Sequence, residues 1–368
     1  MLEKKQRSCN LDVIRIFAFL MVVSVHFFWN GNFYGQNINT PYMIFPILIR
    51  NLSMVCVPLF LLLSGYLLKG RTVSKGFYCK LIPTVGIYLL ASLACMAYAY
   101  LNREEGFSLS KSLWGIFSFT TAPYSWYIEM YIGLFLMIPF FNIAYGKCSE
   151  RGKKILVLTA LISTALPSVL NIWRPTDLSW WLRPGSSEEY YEIFPNQWES
   201  LYPITFYFLG AYLRDFPPKL KPLPTFFLLV GVCSIGAVFS YYRTYGYLFH
   251  SSKWTAYQSA LVTSQAVLTF HFFNSLDLSR VSERWRKVLA RLSSWVLGAY
   301  LCSSIFDSWL YPILLEKQPV FLKSFIYYPI MVIVVSICSM LLSAVLNLIY
   351  DIIETAVKKC LASKKVPQ

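Results

Sequence analysis

The sequence predicts an all-α fold: a polytopic integral membrane helical bundle of about ten transmembrane helices, with both termini cytoplasmic. Three observations predict it. Residues are 56% hydrophobic and 14% charged, against about 25% charge in a soluble domain. Apolar runs of the roughly 20 residues that a bilayer crossing needs recur along the whole chain. The 33 Lys and Arg concentrate in every second connection, which is the asymmetry expected of loops held on the cytoplasmic side. The net charge of +15 is therefore a topology signal and not a nucleic-acid-binding face, so no nucleic acid is expected as a partner and the lipid bilayer is.

Each span follows in order. Lys4, Lys5 and Arg7 precede an apolar run, as in a signal peptide, but no small-residue cleavage site follows. Residues 11–29 are read as a retained first span. Spans at 44–68 and 78–101 flank the basic connection "KGRTVSKGFYCK", and spans at 125–145 and 155–173 flank "GKCSERGKK". A short sixth span at 200–213 follows the largest external loop, 174–199, and "RDFPPKLK" leads into the seventh at 224–242. The eighth, 255–273, is joined by "SRVSERWRK" to the ninth, 294–313; the tenth, 324–350, is long. Helices are the expected form, because within lipid each backbone group must be satisfied inside its own segment. The reading is one transmembrane domain over 1–350 and a basic cytoplasmic tail over 351–368. Nine cysteines lie scattered with no C-x-x-C pair and no metal-ligand spacing, so thiols are expected instead of a disulfide framework, and no metal.

The first span carries the chemistry. Arg15 and His26 are eleven residues apart, or 1,100° at about 100° per residue, so both lie on one helix face, roughly 16 Å apart along the axis. Asp12 precedes Arg15 by three residues and can pair with it. A charge deep in a span costs about 2.5–3.5 kcal/mol on insertion scales. The competing reading has Arg15 snorkelling to cytoplasmic headgroups and His26 reaching the outer interface. Histidine is the side chain suited to general-base work near neutral pH.

Other ionisable residues fall within spans: Arg50 in the second, Glu129 in the fourth, His271 in the eighth and Asp307 in the ninth. Such residues face a bundle interior or a water-filled cavity. Function is favoured for Glu129, packing for His271, and Asp307 fits either. Ser64 and Gly65 end an apolar run, where small residues let helices approach closely. In the external loop, Trp173, Trp180, Trp181, Tyr190, Tyr191 and Trp198 suit either sugar stacking or an interfacial aromatic belt. Glu188, Glu189 and Glu192 there can accept sugar hydroxyls or solvate the loop.

An ordered set of motifs resembles the membrane acyltransferase-3 family over nearly the whole chain. It comprises Arg15 and His26 in the first span; Phe60, Ser64, Gly65 and Tyr66 in the second; Trp126, Tyr127 and Pro139 in the fourth; and "LGAYL" in the ninth. The resemblance implies an O-acyltransferase that moves an acyl group, usually acetyl from acetyl-CoA, onto a surface glycan or lipid-linked sugar. It implies a single-domain member without a fused esterase-like domain. It makes Arg15 and His26 the essential pair, with Arg15 also on the donor. Many members carry an R-x-x-R pair before the third span; "FYCK" here departs from it and leaves only Lys80, with Lys75 nearby, as the expected CoA contacts. A histidine of a late span is replaced by Ser303.

The resulting expectation is a donor that enters from the cytoplasm and a catalytic His26, either as base or as transient acyl carrier. Arg15 and Glu129 assist it. Asp12, Arg50, Ser64, Gly65, Tyr66, Trp126, Tyr127 and Asp307 hold the structure or line the substrate path. Two other classes compete. One is a transporter or flippase of a glycolipid or small solute, although no repeat is visible. The other is a non-catalytic scaffold bound to polysaccharide-assembly proteins.

Overall fold

The computed structural model describes residues 8–103, 106–183, 185, 189–250 and 253–363. Lys4, Lys5, Arg7, Glu188 and the end of the tail lie outside them. The described residues are helical, with no strand beyond two isolated bridges that tie Asn37 to Leu248 and Ile38 to Tyr245.

In chain order the helices are α1 (Cys9–Asn30), α2 (Ile44–Ser53), α3 (Cys56–Leu68), α4 (Lys75–Tyr78), α5 (Leu81–Leu101), α6 (Leu109–Phe117), α7 (Trp126–Lys147) and α8 (Glu150–Thr164). There follow α9 (Pro167–Leu170), α10 (Leu178–Leu182), α11 (Tyr202–Asp215), α12 (Pro222–Thr244), α13 (Ala260–Asn274), α14 (Glu283–Lys317), α15 (Phe321–Ser324) and α16 (Tyr328–Ser363). Local chemistry sets several starts. Ser74, Ser149 and Ser259 each cap a helix by accepting from a backbone N–H three residues on. Proline occupies the first turn of α11 and α12, where its missing N–H costs nothing.

Seven helical segments among the described residues are long and apolar enough to cross a membrane: Cys9–Asn30, Pro41–Leu68, Lys75–Leu101, Trp126–Lys147, Pro222–Thr244, Glu283–Lys317 and Phe321–Cys360. The expected fifth, sixth and eighth spans are the helices α8, α11 and α13, of 15, 14 and 15 residues. At about 1.5 Å per residue each reaches little over 20 Å, short of a hydrocarbon core of about 30 Å. Apolar residues that continue beyond these helices, as at Pro167–Leu170 after α8, had lengthened the runs seen in the sequence.

The bundle is graded. In Pro41–Leu68, 72% of the most apolar window is buried within the protein, against 28% in Lys75–Leu101 and in Phe321–Cys360. The second segment is thus central, and the third and last present their apolar side chains outward. Around α1 pack α3, α14 and α16, while α3 lies on α11. Gly65 makes that last contact: a Cβ there would collide with the Tyr207 carbonyl, and one on Gly210 would collide with the Leu62 carbonyl. Two glycines therefore let α3 and α11 touch backbone to backbone.

Candidate active site

The expected polar stripe exists, and α14 answers it. Asp12 is 3% exposed and lies 3.6 Å from Arg15. The Arg15 guanidinium donates to Ser293 Oγ at 2.7 Å. Further along α1, His26 Nδ1 lies 3.4 Å from Asp307 Oδ2. Since 15 pairs with 293 and 26 with 307, α1 and α14 run parallel. Ser293, Tyr300 and Asp307 are spaced by seven residues, two turns less about 20°, so they share one face of α14.

Tyr124, in the connection before α7, completes the upper cluster. Its hydroxyl donates to Asp307 Oδ2 at 2.8 Å, and its ring stacks on His26 with centroids 3.7 Å apart. Burial first, and then the Asp307 charge, push the Tyr124 hydroxyl above its ordinary pKa, which keeps it a donor. Asn30, one turn beyond His26, donates to that hydroxyl at 3.5 Å. His26 Nδ1 and Asp307 Oδ1 are buried without an aligned hydrogen-bond partner among the described residues. The 3.4 Å separation is thus within ion-pairing distance but is not an aligned hydrogen bond. The His26 side chain is 14% exposed although its Nδ1 is buried, so the exposed area belongs to its other atoms.

Below this cluster lies a cavity of about 460 Å³ between α1, α3, α5, α7 and α14. Arg15 and Ser293 line one end; Val22 and Tyr300 lie seven residues further along their helices, about 10 Å away. The walls between are largely apolar, with Phe60, Leu63, Ser64, Thr84, Tyr127 and Tyr131 among them. His26 stands one turn beyond Val22. Asp12, Arg15, Ser64, Tyr127, His26 and Asp307, six of the residues expected from sequence, therefore belong to one continuous region.

Other expected residues are placed apart. Glu129 is exposed in the first turn of α7, on the face opposite Tyr127, Ile128 and Tyr131, which line the cavity. Arg50 is 1% exposed and packs on residues of the connections that follow α1 and α12, with Nε donating to Tyr34 Oη at 3.0 Å and the guanidinium 5.0 Å from the Phe249 ring centroid. Tyr66 turns away from the cavity onto Phe270, and its carbonyl accepts from Arg214 at 2.9 Å. Trp126 is 40% exposed and stacks on Tyr257. Gly65 serves the α3–α11 contact. Lys75 and Lys80 are exposed, although Lys80 precedes the cavity-lining Thr84 by one helical turn. His271 is buried with Nε2 3.0 Å from the Leu220 carbonyl, a packing role. Trp180, expected as a sugar platform or belt residue, is 1% exposed beneath the Arg243 guanidinium, 3.9 Å from its ring centroid.

Tyr124 and Ser293 were not singled out from the sequence, and Tyr300 entered only within the "LGAYL" motif. Counting back from Asp307 by sevens reaches Tyr300 and Ser293; nothing local marks Tyr124. No group of three or more His, Cys, Asp or Glu among the described residues is arranged to hold a metal ion.

Neither a curated protein nor a solved structure matches the chain. A family profile for an acyltransferase domain, that of the acyltransferase-3 family, matches residues 10–344, from the second residue of α1 into α16. That match spans all the residues that build the cavity and the His26 cluster, so the chain belongs to the acyltransferase-3 family and is a membrane acyltransferase.

Proposed function

We propose that this protein sits in the cytoplasmic membrane and moves an acetyl group from cytoplasmic acetyl-CoA to a hydroxyl of a cell-surface or exopolysaccharide sugar. The observation that carries this reading is the alignment of Arg15, the apolar cavity and the His26–Asp307–Tyr124 cluster along one face of α1. A long anionic donor matches that order: cation, slot, base.

The donor's phosphates stay at the cytoplasmic mouth, beside Arg15 and the exposed Lys80 one turn from the cavity wall. Lys75 adds to the positive potential there. The pantetheine arm lies in the cavity and brings the thioester toward His26. The acceptor hydroxyl approaches the His26 ring from the opposite side. His26 takes the hydroxyl proton and the oxygen attacks the thioester carbonyl. The tetrahedral adduct collapses, the C–S bond breaks, and the CoA sulfur leaves with the proton that His26 carried. Asp307 holds the imidazole by Nδ1 and stabilises its cationic form; Tyr124 holds Asp307. Arg15 binds the donor and is kept straight by Asp12 and Ser293.

The test uses membranes containing the native protein or His26→Ala, matched for inserted protein. Radiolabelled acetyl-CoA is supplied and label in surface glycan is counted. Label that depends on His26 is expected. Equal label with both proteins would remove His26 from the chemistry, and label with neither would reject this donor.

A further inference from the structure

Between the donor cavity and His26 stands a partition of tyrosines. Tyr300 and Tyr127 line the far end of the cavity; His26 does not line it. The Tyr300 and Tyr127 rings meet edge to face, with centroids 6.1 Å apart. Tyr300 then faces Tyr124 at 6.5 Å, and Tyr124 stacks on His26. The Tyr300 hydroxyl donates to the Tyr124 backbone carbonyl, which fastens α14 across to the connection before α7. Tyr300 is 7% exposed, so its ring is held by its surroundings.

We infer that Tyr300 is the specificity-determining residue for acyl chain length: its ring narrows the passage from the cavity to His26 so that a short acyl group fits and a longer one does not. The inference rests on the acyl-CoA reading above. Its physical basis is position. An acyl group attached to a pantetheine arm lying between Arg15 and Val22 must pass Tyr300 to bring its carbonyl to His26. Burial at 7% exposure keeps the ring from swinging aside, and a phenylalanine ring would be held in the same way. Tyr300 contacts the passing acyl group and takes no part in proton transfer.

Substitution separates ring from hydroxyl. Membranes carrying wild type, Tyr300→Phe, Tyr300→Leu or Tyr300→Ala receive equal mixtures of acetyl-, propionyl- and butyryl-CoA, and the acylated glycan is read by mass. The quantity is the butyryl-to-acetyl ratio within one preparation, so differences in inserted protein cancel. A pocket wall discriminates one methylene by about 10-fold or more. The ratio is expected to rise at least about 10-fold in the Leu or Ala variant and to stay within a few-fold of wild type in the Phe variant. An unchanged ratio with Leu and Ala overturns the inference while leaving acyl transfer intact. If neither inserts, Tyr300→Trp decides in the opposite sense: the propionyl-to-acetyl ratio falls, and an unchanged ratio overturns the inference. Wild type that transfers no acyl group from any of the three donors rejects the acyl-CoA reading itself.

Discussion

His26 and Asp307 are two ionisable side chains placed where lipid would accept neither. Their 3.4 Å separation and the Tyr124 hydroxyl at 2.8 Å from the same carboxylate make each the other's compensation. Asp307→Asn keeps the shape and removes the charge that, on the proposed mechanism, faces His26 while it holds the acceptor proton. Transfer per inserted molecule is expected to fall about 10²-fold, the lower end of what general acid–base catalysis contributes. Initial rates in membranes of matched protein content check this, and an unchanged rate would assign Asp307 to packing alone. At the other end, Arg15 is 29% exposed and lines the cavity mouth. On the proposed function, Arg15→Gln would remove a charge-assisted contact with a donor phosphate, which a net value of about 1.5–3 kcal/mol translates to roughly 10- to 100-fold in donor affinity. The KM for acetyl-CoA is expected to rise accordingly, and the KM for the acceptor to stay put.

At the scale of elements, one helix pair organises the site. α1 places Asp12, Arg15 and His26 on one face, and α14 meets it with Ser293, Tyr300 and Asp307 at seven-residue spacing. The two helices hold the Arg15–Ser293 contact and the His26–Asp307 contact at opposite ends of one stripe. A second pair, α3 and α11, supports the cavity wall from behind. Gly65 and Gly210 bring the two backbones into contact, so a side chain at Gly65 has no flexible neighbour to push aside. Gly65→Leu is expected to destabilise by at least about 1–3 kcal/mol, as overpacking of a tight core does. Thermal unfolding in detergent measures it, and an unshifted midpoint would show that the helices can separate without loss.

For the whole molecule, the proposed function gives the two substrates different faces, and this requires a defined orientation in the membrane. On the ten-span reading, which we propose from the charge asymmetry of the loops, the Arg15 end, the basic connections and the tail share the cytoplasmic side. Exposed Cys79 and Cys360 then both lie on the cytoplasmic side. A membrane-impermeant maleimide is expected to label neither in intact cells and both after permeabilisation; labelling of either in intact cells would reverse the orientation. Ten apolar runs were legible in the sequence, yet seven helical segments reach spanning length. The other three runs form the helices α8, α11 and α13, of 15, 14 and 15 residues, which hydropathy alone does not distinguish from longer ones.

The sequence by itself determined the class of molecule, the helical form, the shared face of Asp12, Arg15 and His26, and the family resemblance that the profile match bears out. These are properties of composition and of helical periodicity, which act within a segment and need no knowledge of its neighbours. Only the tertiary structure decided which residues meet across segments. It joined His26 to Asp307, 281 positions away in the chain by the difference 307 − 26, and not to Glu129, which it left exposed on the outer face of α7. It brought Tyr124 from an irregular connection onto the imidazole, and it set Tyr300 between cavity and base. A lone carboxylate or tyrosine in an apolar helix carries no label for its partner. The partner is chosen by how the helices pack, and that depends on every apolar contact in the bundle at once.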